Sequence, residues 1–343
     1  MPNETAKIRK TWLDAIKGVA IVLVILSHSQ EIPFIHWLLV ACYMPLFFLA
    51  SGYTFRDYAG VLNKRWKQLL IPYAGWCLFY LVWGISADIH AGKFSISDVA
   101  LKVFGILYSR YSFFPPSPEN ELMLFPNGAM PMWFLTCLAV SYAVALPLIR
   151  ANRAGKIFIS TLYLVISVAL SYIPILLPWS LDTAFLGAIF IFLGHLAKSI
   201  HLSTKQIFVT LLISSFSYLT LSYINPGINM SVKQYGNMGS LSVLLFLLIG
   251  VTGTMAYATF FKLVEKSWLC SFFAYLGRSS LTIMSAHMLF LFLYGHIINY
   301  FFSSCHLRFS VLFTSRLAFV LLGCLLIEKT MSYIKNRFLL AYK

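Results

Sequence analysis

The sequence predicts an all-α fold of about ten membrane-spanning helices around a polar cavity, with both termini on the cytoplasmic side. Of the 343 residues, 59% are hydrophobic and only 11% are charged, whereas soluble domains carry about a quarter charged residues. The mean hydropathy is +0.80. The apolar residues form separate runs near the roughly 20 residues that cross a bilayer as a helix. Together these features predict a multi-pass membrane protein.

A single membrane domain is predicted over residues 1–343. Asp14 and Lys17 interrupt the start of the first apolar run, and no small-residue cleavage site follows it. We therefore expect this run to stay in the protein as a span, and not to be removed as a signal peptide. The predicted spans are 12–29, 35–55, 69–87, 132–149, 157–177, 183–200, 206–223, 239–261, 280–302 and 309–327.

The longest predicted connection runs from residue 88 to residue 131 on the outer side. It contains a possible interfacial helix at 97–108, followed by a loop rich in proline and aromatic residues. Ordered loops of this length are usually functional. We therefore predict a role for this segment at the outer face.

The formal net charge of +15 does not indicate nucleic-acid binding, because of where the charges fall. With both termini inside, most of the lysines and arginines lie in the inner segments, as the positive-inside rule requires. We therefore expect these basic residues to contact membrane lipids, and we predict no nucleic-acid partner.

The cysteines predict neither a disulfide framework nor a metal site. They lie in apolar segments without the spacing of metal ligands and read as small buried hydrophobic side chains. No phosphate loop, glycine-rich nucleotide fingerprint or metal cluster is predicted. The cysteines are at positions 42, 77, 137, 270, 305 and 324.

Polar residues form one stripe on the first span. Lys17 and His28 are eleven residues apart, about three turns, so they share a helix face and lie about 16 Å apart along the axis. Asp14, three residues before Lys17, falls on the same stripe and can pair with it. Because charges facing lipid cost several kcal/mol, such a stripe is predicted to face protein or a water-filled cavity and to be functional.

The stripe and several later segments resemble the membrane acyltransferase 3 family. Lys17 and His28 are followed by PLFFLASGYTF (45–55), KRWKQLLIPY (64–73), MWFL (132–135) and YLGRSSLTIMSAH (275–287). These matches keep the family's order over nearly the whole chain. The segment MPLFF (44–48) most resembles the sugar O-acetylase branch of the family, which includes proteins similar to fucose 4-O-acetylase. Tyr43 stands where that branch often has histidine.

The resemblance implies an O-acetyltransferase of the bacterial inner membrane. Acetyl-CoA from the cytoplasm would be a co-substrate, no cofactor would be bound, and the acceptor would be a sugar hydroxyl of a surface or lipid-linked polysaccharide. The resemblance makes His28 the essential catalytic histidine, either as a general base or as a carrier of the acetyl group. Histidine suits both roles because its pKa lies near neutrality.

Further site residues are predicted beside this histidine. Lys17 is expected to hold a phosphate of coenzyme A or to polarise the thioester carbonyl, with Asp14 orienting it. Ser280 and His287 are seven residues apart, close to two turns, and share a face of the ninth span. A histidine in mid-span is costly without a partner, so His287 is assigned to the site.

Donor and acceptor contacts complete the prediction. Ser51 and Tyr53 offer hydroxyl groups near the inner end of the second span. Lys64, Arg65 and Arg278 form an inner cluster for the pyrophosphate of coenzyme A. Trp133 is predicted to stack on the acceptor sugar.

Each of these residues also has an ordinary structural interpretation. A lone histidine commonly joins helices, inner cations commonly anchor the topology, and Ser-Gly pairs commonly pack helices. A glycolipid flippase or exporter without acyl transfer is therefore an alternative function, and a glycan polymerase is a third.

Overall fold

The computed structural model describes residues 9–28, 41–115, 124–125, 130–302 and 309–341. They form a helical bundle. The helices are α1 (Thr11–Ser27), α2 (Tyr43–Thr54), α3 (Val61–His90), α4 (Ile96–Tyr108), α5 (Trp133–Arg150), α6 (Arg153–Ser171), α7 (Leu181–Leu196), α8 (Thr204–Ile224), α9 (Leu241–Leu263), α10 (Trp268–Arg278), α11 (Ser280–Phe302) and α12 (Phe309–Ala341). Between α8 and α9, strands β1 (Ile228–Asn229) and β2 (Gln234–Tyr235) pair antiparallel.

Eight of the described helices are long and apolar enough to cross a membrane: α3, α5, α6, α7, α8, α9, α11 and α12. The helices α1 and α2 are shorter, with 17 and 12 residues in the described part of the chain. The protein is therefore an all-α, multi-pass membrane protein, as its composition predicts.

Helix extends beyond the predicted spans in three places. Helix α3 begins at Val61, ahead of the predicted span 69–87, and α12 continues past residue 327 to Ala341. Helix α10 lies between two predicted spans. A search for apolar runs finds only the part of a helix that lies in hydrocarbon, so polar extensions and short amphipathic helices escape it.

Some predictions fall on residues that the structure does not describe. These are the start of the predicted span 35–55, most of the aromatic loop between 116 and 129, and Cys305. The other five cysteines are buried free thiols, as predicted. The predicted helix at 97–108 corresponds to α4.

Glycines bring two pairs of helices into backbone contact. A Cβ atom on Gly18 of α1 would overlap the carbonyl group of Phe273 in α10, and one on Gly277 would overlap the carbonyl of Asp14. A Cβ atom on Gly52 of α2 would likewise overlap the carbonyl group of Ile191 in α7. Only residues without a side chain permit such close approach, which is the usual means of helix association in membranes. The contact sets the position of α1, which carries the polar stripe.

A buried charge network joins three loop segments at the opposite end of the bundle from the start of α1. Arg110 is fully buried and forms an ion pair with Asp182, which is 1% exposed. Its Nε donates to the carbonyl of Leu177 at 3.1 Å and its Nη1 to that of Ser231 at 2.6 Å. Lys233 lies 3.6 Å from the same carboxylate. The network therefore links three segments to one another: the one after α4, the one before α7 and the one around strands β1 and β2.

The same segments contain unfavourable backbone conformations. Among the described residues, the four non-glycine residues with positive φ are Ser109, Trp179, Ser180 and Lys233, at 54° to 60°. Such residues cost of order 1–3 kcal/mol each and persist only where surrounding contacts hold them. Lys233 supplies one such contact, since its ammonium donates to the carbonyls of Ile173 and Ile175, each at 2.7 Å.

We expect Asp182→Asn to lower the stability of the folded protein by about 3–5 kcal/mol, because it leaves the buried charge of Arg110 without its partner. The control is Asp57→Asn, which breaks the exposed pair with Arg150 and should change stability far less. Thermal unfolding in detergent, followed by circular dichroism, measures both. Equal melting temperatures for the two variants would contradict a structural role for the network.

We expect Gly277→Ala to destabilise the protein by about 1–3 kcal/mol, since the added methyl group overlaps the backbone of α1. Gly75→Ala is the matched control, because a Cβ atom on this helical glycine meets nothing within 4 Å. It should be neutral or slightly stabilising. The same unfolding measurement compares them, and a stable Gly277→Ala protein would show that α1 and α10 separate without cost.

Candidate active site

Helix α1 carries the predicted polar stripe. The side chain of Asp14 is buried and its carboxylate accepts a hydrogen bond from Nε of Arg9, a partner that the spacing did not suggest. Lys17 follows one turn later and is half-buried. His28 follows directly after the last residue of α1. The stripe thus runs from the start of the helix to its end.

The two predicted catalytic histidines meet at that end. The ring centroids of His28 and His287 are 5.3 Å apart, although 258 residues separate them in the chain. His28 is exposed, whereas His287 in α11 is fully buried. The fold therefore joins two residues that the sequence assigned to the site independently.

The hydrogen bonds of His287 determine its tautomer. Its Nδ1 lies 2.8 Å from the carbonyl oxygen of Met284 and 3.1 Å from that of Ile283. Carbonyl oxygens only accept, so Nδ1 carries the proton and Nε2 is left with a free lone pair in the neutral ring. Within the described residues, Nε2 has no hydrogen-bond partner. This nitrogen can accept a proton.

Cations and aromatic rings surround the start of α1. Nζ of Lys10 donates to the hydroxyl of Tyr53 at 2.6 Å and lies 4.8 Å from its ring centroid. The ring of Tyr53 meets that of Trp12 edge-on at 5.2 Å. Nζ of Lys262 lies 4.7 Å from the Trp12 ring centroid. We call this part of the bundle, with the end of α2 and the start of α3, the basic end.

Arg65 lies at the same end. Its guanidinium carbon is 5.4 Å from the ring centroid of Tyr142, and its Nη2 donates to the carbonyl of Thr54 at 3.4 Å. Ser51 is half-buried one turn earlier in α2, and Lys64 is exposed beside Arg65. The predicted donor residues of α2 and α3 are therefore neighbours.

Arg278 and Ser280 lie around the junction of α10 and α11. The guanidinium carbon of Arg278 is 5.6 Å from the ring centroid of Tyr275 in its own helix. Ser280 is half-buried at the first residue of α11, seven residues before His287. Ser280 therefore lies on the helix of the buried histidine, whereas Arg278 is exposed.

Trp133 is buried at the first residue of α5, away from the basic end. Its ring centroid lies 6.0 Å from the guanidinium carbon of Arg110. The preceding turn, Met130–Met132, contacts α11. Trp133 therefore lies between the buried charge network and the helix that carries His287.

Several polar residues near these sites were not predicted from the sequence. Arg110, Asp182 and Lys233 were not singled out, although charges at the edge of apolar runs are a usable signal. His195 was not assigned to the site either. Its Nδ1 is 3.2 Å from Nζ of Lys198, whose ammonium also donates to the carbonyl of Phe55.

The loop at the basic end carries an exposed ion pair. Nε and Nη2 of Arg150 donate to the carboxylate of Asp57 at 2.8 and 2.7 Å. These bonds hold the pKa of the Asp57 carboxyl below its ordinary value. No group of three or more metal-ligating side chains occurs among the residues for which the structure gives positions.

One of three comparisons with known proteins found a match. A family model described as an acyltransferase domain matches residues 10–329, a range that includes both histidines and the whole polar stripe. Searches of curated proteins and of solved structures found no match. On this match over nearly the whole chain, the protein belongs to the membrane acyltransferase 3 family and is an acyltransferase.

Proposed function

We propose that this acyltransferase moves an acetyl group from cytoplasmic acetyl-CoA to a sugar hydroxyl of a surface or lipid-linked polysaccharide. The observation that carries the proposal is the histidine pair, with ring centroids of His28 and His287 5.3 Å apart, at the far end of the helix that begins among cations. The resemblance to the fucose 4-O-acetylase-like branch supports acetyl as the acyl group and a sugar as the acceptor.

The proposed orientation places the basic end in the cytoplasm of a bacterium, with the protein in the inner membrane. Ten spans with both termini inside put most lysines and arginines on that side, which follows the positive-inside rule. The histidine pair then lies toward the outer face, where a periplasmic acceptor arrives. The two substrates approach from opposite sides of one polar cavity.

The donor is proposed to bind with its nucleotide at the basic end. Coenzyme A carries several phosphates, and the cations around Tyr53 and Arg65 suit a polyanion. Lys17 lies between this end and His28 on one helix face, about 16 Å from the histidine along the axis. The long pantetheine arm would follow α1 past Lys17 and bring the thioester to the histidines. Ser51, Ser280 and the exposed Lys64 and Arg278 remain proposed donor contacts.

The chemistry requires one proton acceptor and one thiol leaving group. A histidine takes the proton of the sugar hydroxyl as the oxygen attacks the thioester carbonyl. The tetrahedral intermediate then releases the coenzyme A thiolate, which takes up a proton and leaves as the thiol. If His28 first carries the acetyl group, its ring nitrogen attacks the thioester and the coenzyme A thiolate leaves in that first step. The sugar oxygen then attacks the acetyl-imidazole, the imidazole of His28 is the leaving group, and it takes up the proton of the sugar hydroxyl. Trp133 is proposed to contact the sugar.

The alternative of a flippase or exporter without acyl transfer explains the spans and the buried charges. It gives no reason for a donor site at the basic end, and the family assignment favours the transferase. Binding of a coenzyme A analogue to the purified protein separates the two functions, since an exporter has no use for it.

We expect His28→Ala to lower acetyl transfer about 10²–10⁴-fold, the usual contribution of a general base or acid. The measurement is the acetyl content of surface glycans in a deletion strain complemented with wild type or variant, with membrane protein levels determined in parallel. His296→Ala is the matched control, because His296 is an exposed residue of α11. Full acetylation by the His28→Ala protein would contradict the proposal.

We expect Lys17→Ala to raise the KM for acetyl-CoA about tenfold, equivalent to about 1.4 kcal/mol of binding, because a cation that contacts the donor is removed. Lys17→Arg keeps the charge and should stay near wild type. Release of the coenzyme A thiol by purified protein, with isolated glycan as acceptor, gives both values. An unchanged KM in Lys17→Ala would remove this residue from the donor site.

A further inference from the structure

One buried tyrosine bonds to the helical turn that carries His287. Tyr80 of α3 is 1% exposed, and its hydroxyl donates to the backbone carbonyl of Ser285 in α11 at 2.7 Å. Nδ1 of His287 bonds to the carbonyls of Ile283 and Met284, the two residues before Ser285. Three consecutive carbonyls of α11 therefore accept side-chain hydrogen bonds in addition to their place in the helix.

The hydrogen bond from Tyr80 links α11 to a different neighbouring helix than two other side-chain hydrogen bonds of α11 do. Thr282 bonds to Glu328, and the hydroxyl of Tyr294 lies 2.6 Å from that of Ser315, so both ties lead to α12. Tyr80 instead connects α11 to α3. Ties to two neighbouring helices limit both the rotation of α11 about its axis and its shift along it. The tie to α3 acts at the turn of the buried histidine.

The placement of that turn matters because His287 has little freedom of its own. Its ring is fully buried and its Nδ1 is bound to the backbone of α11. The position of Nε2 relative to His28 is therefore set by how α11 lies in the bundle. A displacement of about 1 Å at a reacting group can cost as much as about 10²-fold in rate.

We propose that Tyr80 is a positioning residue for His287. Its hydroxyl holds α11 so that the imidazole ring of His287 lies beside that of His28. The inference rests on the proposed function, because it requires His287 to act in the acyl transfer. Tyr80 itself contacts no reacting atom in this account and acts only through the carbonyl of Ser285.

A packing role of the aromatic ring has to be separated from this role. Tyr80 also lies among aromatic side chains of α3, with ring centroids 6.1 Å from Trp76 and 5.6 Å from Phe79. Tyr80→Phe keeps these ring contacts and removes one hydroxyl. The matched control is Tyr73→Phe in the same helix, whose hydroxyl donates to the carbonyl of Ile106 in α4 at 2.5 Å. Both variants lose a buried tyrosine-to-carbonyl bond, but only one such bond reaches α11.

We expect Tyr80→Phe to lower kcat about tenfold, with the KM for acetyl-CoA changed less than about twofold, because substrate contacts are retained while His287 is misplaced. The pH profile of kcat should shift, since the environment of His287 changes. Tyr73→Phe should leave kcat and the profile unchanged at a similar melting temperature. Purified proteins in detergent, assayed by thiol release with isolated glycan, provide these values.

A double variant tests whether Tyr80 acts through His287. We expect His287→Gln to retain about 1% of the wild-type rate, and adding Tyr80→Phe should not lower that rate further. A further tenfold loss in the double variant, or a kcat for Tyr80→Phe equal to that of wild type or of Tyr73→Phe, would overturn the inference alone. A fully active His287→Gln protein would overturn both the inference and the role of His287 in the proposed function.

Discussion

The structure depends on backbone contact between helices at glycine residues. Lipid tails are as apolar as the side chains of a membrane helix, so burial of apolar surface supplies no force that orders one helix against another. At Gly18 and Gly277 the backbones of α1 and α10 touch directly, and Gly52 brings α2 against α7 in the same way. These contacts give α1 one rotation in the bundle. The polar stripe on α1 has a defined direction as a consequence.

Polar groups inside the bundle obtain their partners mainly from backbone carbonyls. Arg110 uses the carbonyls of Leu177 and Ser231, and His287 uses those of its own helix. A buried polar group without a partner is costly where water is excluded. The difference between the two residues is therefore informative: the guanidinium is satisfied and ties loops together, whereas Nε2 of His287 has no partner among the described residues. Five buried side-chain oxygens in the described part of the chain also lack a partner. Nε2 is a candidate for chemistry because its ring in addition lies beside that of His28.

Much of the fold and part of the site could be predicted from the sequence. Apolar runs indicate helices in a membrane because lipid imposes both their length and their composition. The spacing of Lys17 and His28 indicates a shared face because a helix has a fixed period. The match of Arg110 to Asp182 could not be predicted, since the partners lie 72 residues apart and no local pattern links them. A search for apolar runs missed α10, which is too short, and the end of α12, which is too polar.

The sequence by itself determined that this chain is a multi-pass membrane protein of an acyltransferase family, and which polar residues lie on one face of α1. The membrane character and the shared face are local properties, set by hydropathy and helical periodicity, whereas the family is indicated by short motifs that keep their order along the chain. Only the tertiary structure decided that His287 lies beside His28, which of its ring nitrogens is free, and that Tyr80 bonds to its helical turn. Contacts between distant segments depend on how whole helices pack, and a helix period carries no information about which neighbour its face will meet.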